Sequence, residues 1–288
     1  MSLSVATLNM LDDLAFWRER SPLIVEEFRE LRPDVIALQE VSLASPSVKL
    51  EGARSTAHWL ADQLGGYGVA LCPHSSHPAS DSLAILTRWT VDSHDILKFE
   101  AQGRQAQRVR IRRDDETWTV VNTHLYWHPL GDATRVQQVS QLKEWLDGAA
   151  PAVVCGDFNA VPASGTLRRF GERFTSAHVA RHGKDPLLTY PTLLRRGSGL
   201  RHWGRHATLR ANGLIRLRHN MRFGGTVDYI MVDASVQVEE CDVVFRRPSP
   251  LDPQIYASDH LGLFAVLGRP DPIASDASGA GAREDREE

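Results

Sequence analysis

Several polar side chains in this chain stand where a run of apolar residues stops or starts. Asn9 follows Val-Ala-Thr-Leu, Glu40 follows Ala-Leu-Gln, and His124 follows Val-Val-Asn-Thr. Asp157 and Asn159 come after Val-Val-Cys-Gly, Asp228 after Gly-Gly-Thr-Val, and Asp259-His260 before Leu-Gly-Leu-Phe. Taken alone, each also fits a plain turn or strand end, since Gly-Asp-Phe-Asn is a good turn sequence and Asn9 can close an Asx turn. Together they place carboxylates at the ends of buried strands, where a rigid scaffold displays a site and where paired carboxylates need a cation to coexist. The oxygen ligands of Asn and Glu suit Mg²⁺ or Mn²⁺ rather than zinc. Histidines outside the metal's reach can hydrogen-bond a phosphate oxygen or move a proton. Asp beside His supplies a carboxylate able to fix an imidazole tautomer. No serine or cysteine sits in a nucleophile motif, so water is the expected attacker, and the sum is metal-assisted hydrolysis of a phosphate ester.

The elements that would carry these residues are legible in the hydropathy pattern. Residues 3–8 alternate as a strand ending at Asn9. Ser21-Pro22 reads as an N-cap and first-turn proline. Ile24, Phe28 and Leu31 follow at helical spacing, and Arg32-Pro33 ends that helix. Residues 34–39 form a short apolar strand, 41–53 a loop, and 54–64 an amphipathic helix closed by Gly65-Gly66. Strands are predicted at 67–71, 83–87, 107–112, 118–122, 152–155, 226–232 and 261–267, with 236–245 between the last two. Residues 132–146 show Val136, Val139, Leu142 and Leu146 on one helical face. Strands outnumber helices and often adjoin without helical crossovers, which predicts an α/β chain of two packed, mixed sheets flanked by helices.

Composition excludes other classes. Of 288 residues, 42% are hydrophobic and 24% charged, a globular balance with no apolar run long enough to span a bilayer. The N-terminus lacks a basic n-region and a long apolar stretch, so no secretory signal is expected. Cys72, Cys155 and Cys241 are odd in number and far apart, and read as buried thiols of a reducing compartment, here the cytoplasm. The net charge of −3 hides an uneven distribution. Residues 268–288 are acidic and read as a disordered tail. Arg195, Arg196, Arg201, Arg205, Arg210, Arg216, Arg218 and Arg222 occupy a stretch without one acidic residue, which is either a solvated loop or a surface facing an anion.

At the strand-end residues the sequence resembles the endonuclease/exonuclease/phosphatase superfamily, the DNase I-like fold. The resemblance covers almost everything from Val5 to Leu267. Its blocks are Thr-Leu-Asn-Met (7–10), Leu-Gln-Glu-Val (38–41), Leu-Ala-Ile-Leu-Thr-Arg (83–88), Asn-Thr-His-Leu (122–125), Gly-Asp-Phe-Asn (156–159), Val-Asp-Tyr-Ile (227–230) and Ser-Asp-His (258–260), in the superfamily's order. It implies a four-layer α/β sandwich with the site at one mouth of the sheets, and one domain over residues 1–267. It also implies that Glu40 binds the catalytic Mg²⁺, which Mn²⁺ could replace, with Asn9 nearby as a ligand or through water. Asp157 would orient or deprotonate the attacking water, and Asn159 would hold it and the phosphate. His124 and His260 would donate to non-bridging oxygens. Asp259 would orient His260 or join the metal site, and Asp228 would support the constellation.

Within the superfamily, Asn122-Thr-His-Leu-Tyr-Trp-His-Pro129 and His219-Asn220-Met-Arg-Phe223-Gly-Gly-Thr-Val-Asp228-Tyr look like the deadenylase, nocturnin and 2′-phosphodiesterase branch. In that branch the positions matching Pro129 and Phe223 sandwich an adenine, which reads a base through its π-face. The expected substrate is therefore single-stranded RNA or an adenine-containing nucleotide, bound by Pro129, Asn220, Phe223, Arg201 and Arg205 of a monomer that does not enter membranes. Residues 41–77 depart from the deadenylase pattern, and 193–218 resemble an insertion. The alternatives are a sphingomyelinase- or inositol-phosphatase-like phosphoesterase and a catalytically silent nucleic-acid-binding protein. No apolar hairpin favours the lipid enzyme, and every catalytic position holds the expected residue type, which disfavours the silent protein.

Overall fold

The computed structural model of the chain describes every residue except 1, 13, 15, 45–49, 51, 75–80, 192–224 and 270–288. The chain opens with β1 (Leu3–Asn9), α1 (Trp17–Leu31), β2 (Val35–Val41), α2 (Thr56–Leu64), β3 (Gly68–Cys72) and β4 (Ser82–Thr87). It continues through β5 (Thr90–Lys98), β6 (Gln105–Arg113), β7 (Glu116–His124), α3 (Asp132–Trp145), β8 (Ala152–Asp157), α4 (Gly165–Phe170) and β9 (Thr175–Ser176). It closes with α5 (Ala177–His182), β10 (Asp228–Val232), β11 (Gln237–Val244) and β12 (Gly262–Gly268).

Two mixed six-stranded sheets result among the described residues, in the orders β11-β12-β1-β2-β4-β3 and β5-β6-β7-β8-β10-β9. Among the described strands only β1 with β2, and β7 with β8, run parallel; each parallel pair sits at the centre of its sheet with antiparallel neighbours outside. Strand alternation then sorts side chains into three cores. Val5, Val35, Val120, Val153, Ile230 and Leu263 are fully or almost fully buried between the sheets. Ala6, Leu8, Ile36 and Leu38 pack outward on Ile24, Phe28 and Leu60 of α1 and α2. Val121, Val154 and Tyr229 pack outward on Val139, Leu142 and Phe170 of α3 and α4. The four-layer sandwich expected from the sequence is thus built, each large apolar side chain contributing roughly 1.5–3 kcal/mol by leaving water.

Three local differences have physical causes. Helix α1 begins at Trp17, not at Ser21-Pro22, and Pro22 lies inside it. Its first turn is anchored by Arg20, which is fully buried, rather than by a side-chain cap. Strand β5 was not predicted because nearly every position in it is exposed. It is held by pairing with β6 and by cross-strand ion pairs of Asp92 with Arg112 and Asp95 with Arg108. Helices α4 and α5, of six residues each, are too short for a periodic signal. The predicted thiols are all free and buried. The basic stretch from Arg195 to Arg222, Asn220, Phe223 and the acidic tail from residue 270 lie outside the described residues.

Candidate active site

Because β1, β2, β7 and β8 run parallel within their sheets, their C-terminal ends emerge at one edge, and β4, β10 and β12 begin there. Along the inner faces the residues change from apolar to polar toward that edge: Val5, Thr7, Asn9; Val35, Ala37, Gln39; Val120, Asn122, His124; Val153, Cys155, Asp157. One layer below the mouth, Gln39 donates across the sheets to Asn122 Oδ1 (2.7 Å) and, within its own sheet, to Thr7 Oγ1 (3.0 Å). Asn122 in turn donates to the carbonyls of Leu38 and Ala84. This buried network ties the two sheets together directly under the site.

Glu40 would face outward by simple alternation, since its neighbour Gln39 faces inward. A β-bulge between Leu38 and Val41 and a left-handed backbone at Glu40 (φ 51°) turn it into the mouth instead. A non-glycine residue held there costs on the order of 1 kcal/mol or more, and such strain gathers at functional sites. Glu40 Oε1 accepts from Asn9 Nδ2 (3.1 Å) and Oε2 from the Asp12 amide (3.0 Å). The same Asn9 Nδ2 reaches Asp157 Oδ2 at 3.2 Å, while Asn9 Oδ1 accepts from the Leu11 amide. Asn9 therefore clamps two carboxylates from different sheets.

Two imidazoles flank Asp157. His124 Nε2 lies 3.5 Å and His260 Nε2 3.8 Å from Asp157 Oδ2. Each ring is held at its other nitrogen by a carboxylate: His124 Nδ1 by Asp81 Oδ1 (2.8 Å), His260 Nδ1 by Asp228 Oδ2 (2.9 Å). Asp228 faces Asp157 directly across the β8–β10 ladder. The orienting carboxylate on His260 is thus Asp228, brought by strand pairing, whereas the sequence neighbour Asp259 lies within hydrogen-bond reach of Ser258. Asn159, in a left-handed turn, donates its amide N–H to Asp157 Oδ1 (2.8 Å) and its side chain to the Leu125 carbonyl.

The electrostatics follow from this packing. Burial opposes charge on His260, but Asp228 and Asp157 overcome it and raise its pKa to about 9. Burial and Arg104 oppose charge on His124, yet Asp81 and Asp157 hold its pKa above the ordinary value. Burial pushes the Asp81 carboxyl up, but the adjoining His124 and Arg104 bring it well below the usual range. Burial raises the Asp228 carboxyl.

The sequence reading missed Asp81 and Arg104, which pair with each other beside His124. Asp81 immediately precedes β4, the position relative to a strand that singled out Asp259. It also missed Thr189, whose hydroxyl accepts from the amides of Val227 and Asp228, and Tyr190, whose ring lies 4.5 Å from that of His260. Arg20 is a further omission: it donates to the carbonyls of Ala257 and Met10, fastening the loop after Asn9 to the loop before His260. Pro129 is partly buried in the loop after His124.

The donor set can be tested against a metal. Glu40, Asp157 and Asp228 crowd carboxylates into one mouth, and ligand atoms of Asp157, Asp228 and His260 come within 4.8 Å of one another. Both Asp228 oxygens face His260 Nδ1, so that trio is already satisfied as an acid–base cluster. Glu40 supplies oxygen ligands at its edge, which fits a hard divalent cation that keeps most of its waters.

The sequence model of the Endonuclease/Exonuclease/phosphatase family matches residues 6–260. Over 175 residues the chain is 26% identical to human Nocturnin, covering 54% of this chain and 38% of that protein. Over 164 residues it is 27% identical to Carbon catabolite repressor protein 4 homolog 3 of Arabidopsis thaliana, covering 51% and 34%. The matches thus span little more than a third of those relatives' length. Among solved structures, the human Nocturnin catalytic domain with bound sulfate superposes with a TM-score of 0.67 at 20% identity, covering 93% of this chain and 95% of that one. D. rerio TDP2 complexed with single strand DNA product gives 0.69 at 14% identity, covering 93% and 99%. Family match and fold agree with the strand-end motifs that first drew attention, and the chain belongs to the Endonuclease/Exonuclease/phosphatase family.

Proposed function

We propose that this mouth is the active site of a Mg²⁺-dependent phosphodiesterase acting on a nucleic acid or nucleotide. The observation that carries the reading is Asp157 Oδ2 set between two imidazoles, each clamped from behind by a carboxylate. Asp157 is the acceptor for a proton from attacking water, steadied by the Asn159 amide and by Asn9. The raised pKa of each histidine keeps its Nε2 proton available, so both can donate to the non-bridging oxygens as charge develops. Glu40 would hold the cation, with Asn9 fixing the carboxylate; when bound, the metal supplies charge neutralisation at the phosphoryl group. Asp259 is read as an outer contributor to the same site.

The resemblance of residues 122–129 and 219–229 to the deadenylase, nocturnin and 2′-phosphodiesterase branch supports single-stranded RNA or an adenine-containing nucleotide as substrate. Pro129 and Phe223 would sandwich the base, with Asn220, Arg201 and Arg205 engaging the chain beyond it. Tyr190 and Gly225 bridge, and Leu261 donates its amide to Thr189, so both ends of the segment carrying those residues start at the mouth beside His260. Pairing of the first strand with the last supports one domain over residues 1–267. Among the described residues no helix is long and apolar enough to cross a membrane. We read the protein as a cytoplasmic monomer. The test is hydrolysis of bis-p-nitrophenyl phosphate: turnover should vanish in EDTA, return with Mg²⁺, and be lost in Asp157→Ala. An Asp157→Ala variant as active as the parent would sink the assignment.

A further inference from the structure

Between His124 and helix α3 the chain makes a short loop held from below. Arg135, almost fully buried, donates to the carbonyls of Tyr126 (2.9 Å) and His128 (2.8 Å). Gln138, fully buried, accepts from the Tyr126 amide and donates to the Ala101 carbonyl. On this fixed loop Trp127 is 51% exposed. Its ring stands edge-on to His128 at 5.5 Å, and Tyr126 stacks with His128 at 6.1 Å. Single exposed apolar residues are ordinary. An indole carried on a loop anchored by two buried polar side chains is not, because the anchoring keeps a large flat face in water at no entropic gain to the fold. Only Leu125 and Tyr126 separate Trp127 from His124, so their Cα atoms lie within about 11 Å. That is the range of the nucleotides next to a phosphate held by His124.

We propose that Trp127 is a stacking platform for an unpaired base flanking the scissile phosphate, which makes the substrate a single-stranded nucleic acid longer than a mononucleotide. The inference rests on the phosphodiesterase reading above and adds a base-binding position outside the Pro129–Phe223 pair. An indole face attracts any base, so the position selects for single strands without selecting sequence. Leu130, Leu187 and Leu251 are also exposed in loops at this end, and an apolar rim could instead meet a lipid surface. The indole favours the base, because leucines offer no π-face, and the side chain at 127 can be varied to separate the two.

The experiment is fluorescence anisotropy of a labelled ten-nucleotide oligo(A) with the full chain in EDTA, so that binding is read without turnover. Trp127→Ala should weaken binding about fivefold or more, the lower bound for losing one stacked base. Trp127→Phe should stay within about twofold of the parent, whereas Trp127→Leu should behave like Ala. Binding of a blunt duplex should be the same in all four proteins, and their melting curves should coincide. Parent-like affinity of Trp127→Ala for oligo(A) would overturn the proposal. So would full recovery in Trp127→Leu, or Trp127-dependent sedimentation with phosphatidylserine vesicles without any effect on oligo(A). Failure of the parent to hydrolyse bis-p-nitrophenyl phosphate would strike the phosphodiesterase reading and is measured separately.

Discussion

Asp81→Asn isolates the contribution of a residue that no motif marks. The side chain keeps its size, so the packing around β4 should persist, but the carboxylate on His124 Nδ1 disappears. Arg104, 3.2 Å from the same nitrogen, is left without its Asp81 partner and now opposes protonation of His124. Two consequences follow. Breaking one partner of a buried ion pair costs roughly 3–5 kcal/mol; Asp81 is 21% exposed, so about 2 kcal/mol is expected here. Second, losing a charged donor to the developing oxyanion costs on the order of 10²–10³ in kcat with little change in KM. The sign of the pH effect is fixed by the parent. There His124 is held charged above its ordinary 6.5, so the donor persists as pH rises; in the variant it is lost at lower pH. Measured on bis-p-nitrophenyl phosphate from about pH 5.5 to about pH 8.5, the parent-to-variant ratio should grow steadily with pH. A ratio independent of pH, or a change confined to KM, would refute the argument that Asp81 works through the imidazole.

Other expectations can be checked independently. The folded pKa of His260 is about 9 against 6.5 unfolded, so its pairing with Asp228 stabilises fully below pH 6.5 and is lost as pH rises through 9. For metal-free protein, denaturant melts should lose at most about 3 kcal/mol across that window, and Asp228→Asn should flatten the loss. Gly156→Ala should fail to fold or lose about 3 kcal/mol or more, because a Cβ there would stand 1.9 Å from the Thr123 carbonyl oxygen; circular dichroism decides it. Replacing Arg201, Arg205 and Arg210 by Ala should raise KM for a long oligonucleotide and reduce the salt slope of binding by up to about 2, while a small diester is unaffected.

How much of this was legible in the sequence depends on the kind of force involved. Strands β2, β4 and β8 announce themselves because their residues are buried on both faces, and β1 does so through its alternation. The polar residue closing β1, β7 and β8 then stands out against an apolar run. Glu40 was found for that reason, although the bulge that aims it left no sequence signal. Sequence adjacency makes Asp259 the carboxylate that orients His260 or joins the metal site, and leaves Asp228 a supporting role. The β8–β10 register, which sets Asp228 opposite Asp157, is a long-range fact. The start of α1 was misplaced since Pro22 carries a strong local preference for the first turn. Tertiary anchoring through Arg20 overrides it. Strand β5 stayed hidden because an exposed edge strand has no hydrophobic period, and its ion pairs appear only once β6 lies beside it.

The proposed role of a divalent cation held by Glu40 is to serve the chemistry at Asp157. It is tested most directly by the Mg²⁺ dependence of bis-p-nitrophenyl phosphate turnover in the parent and in Glu40→Gln, with melting curves on both. The parent should show saturable activation from a metal-free baseline of zero. For Glu40→Gln, half-saturation should be displaced by about tenfold or more with an unchanged fold. Parent turnover that survives chelation, or a Glu40→Gln curve superimposable on the parent's, would contradict it.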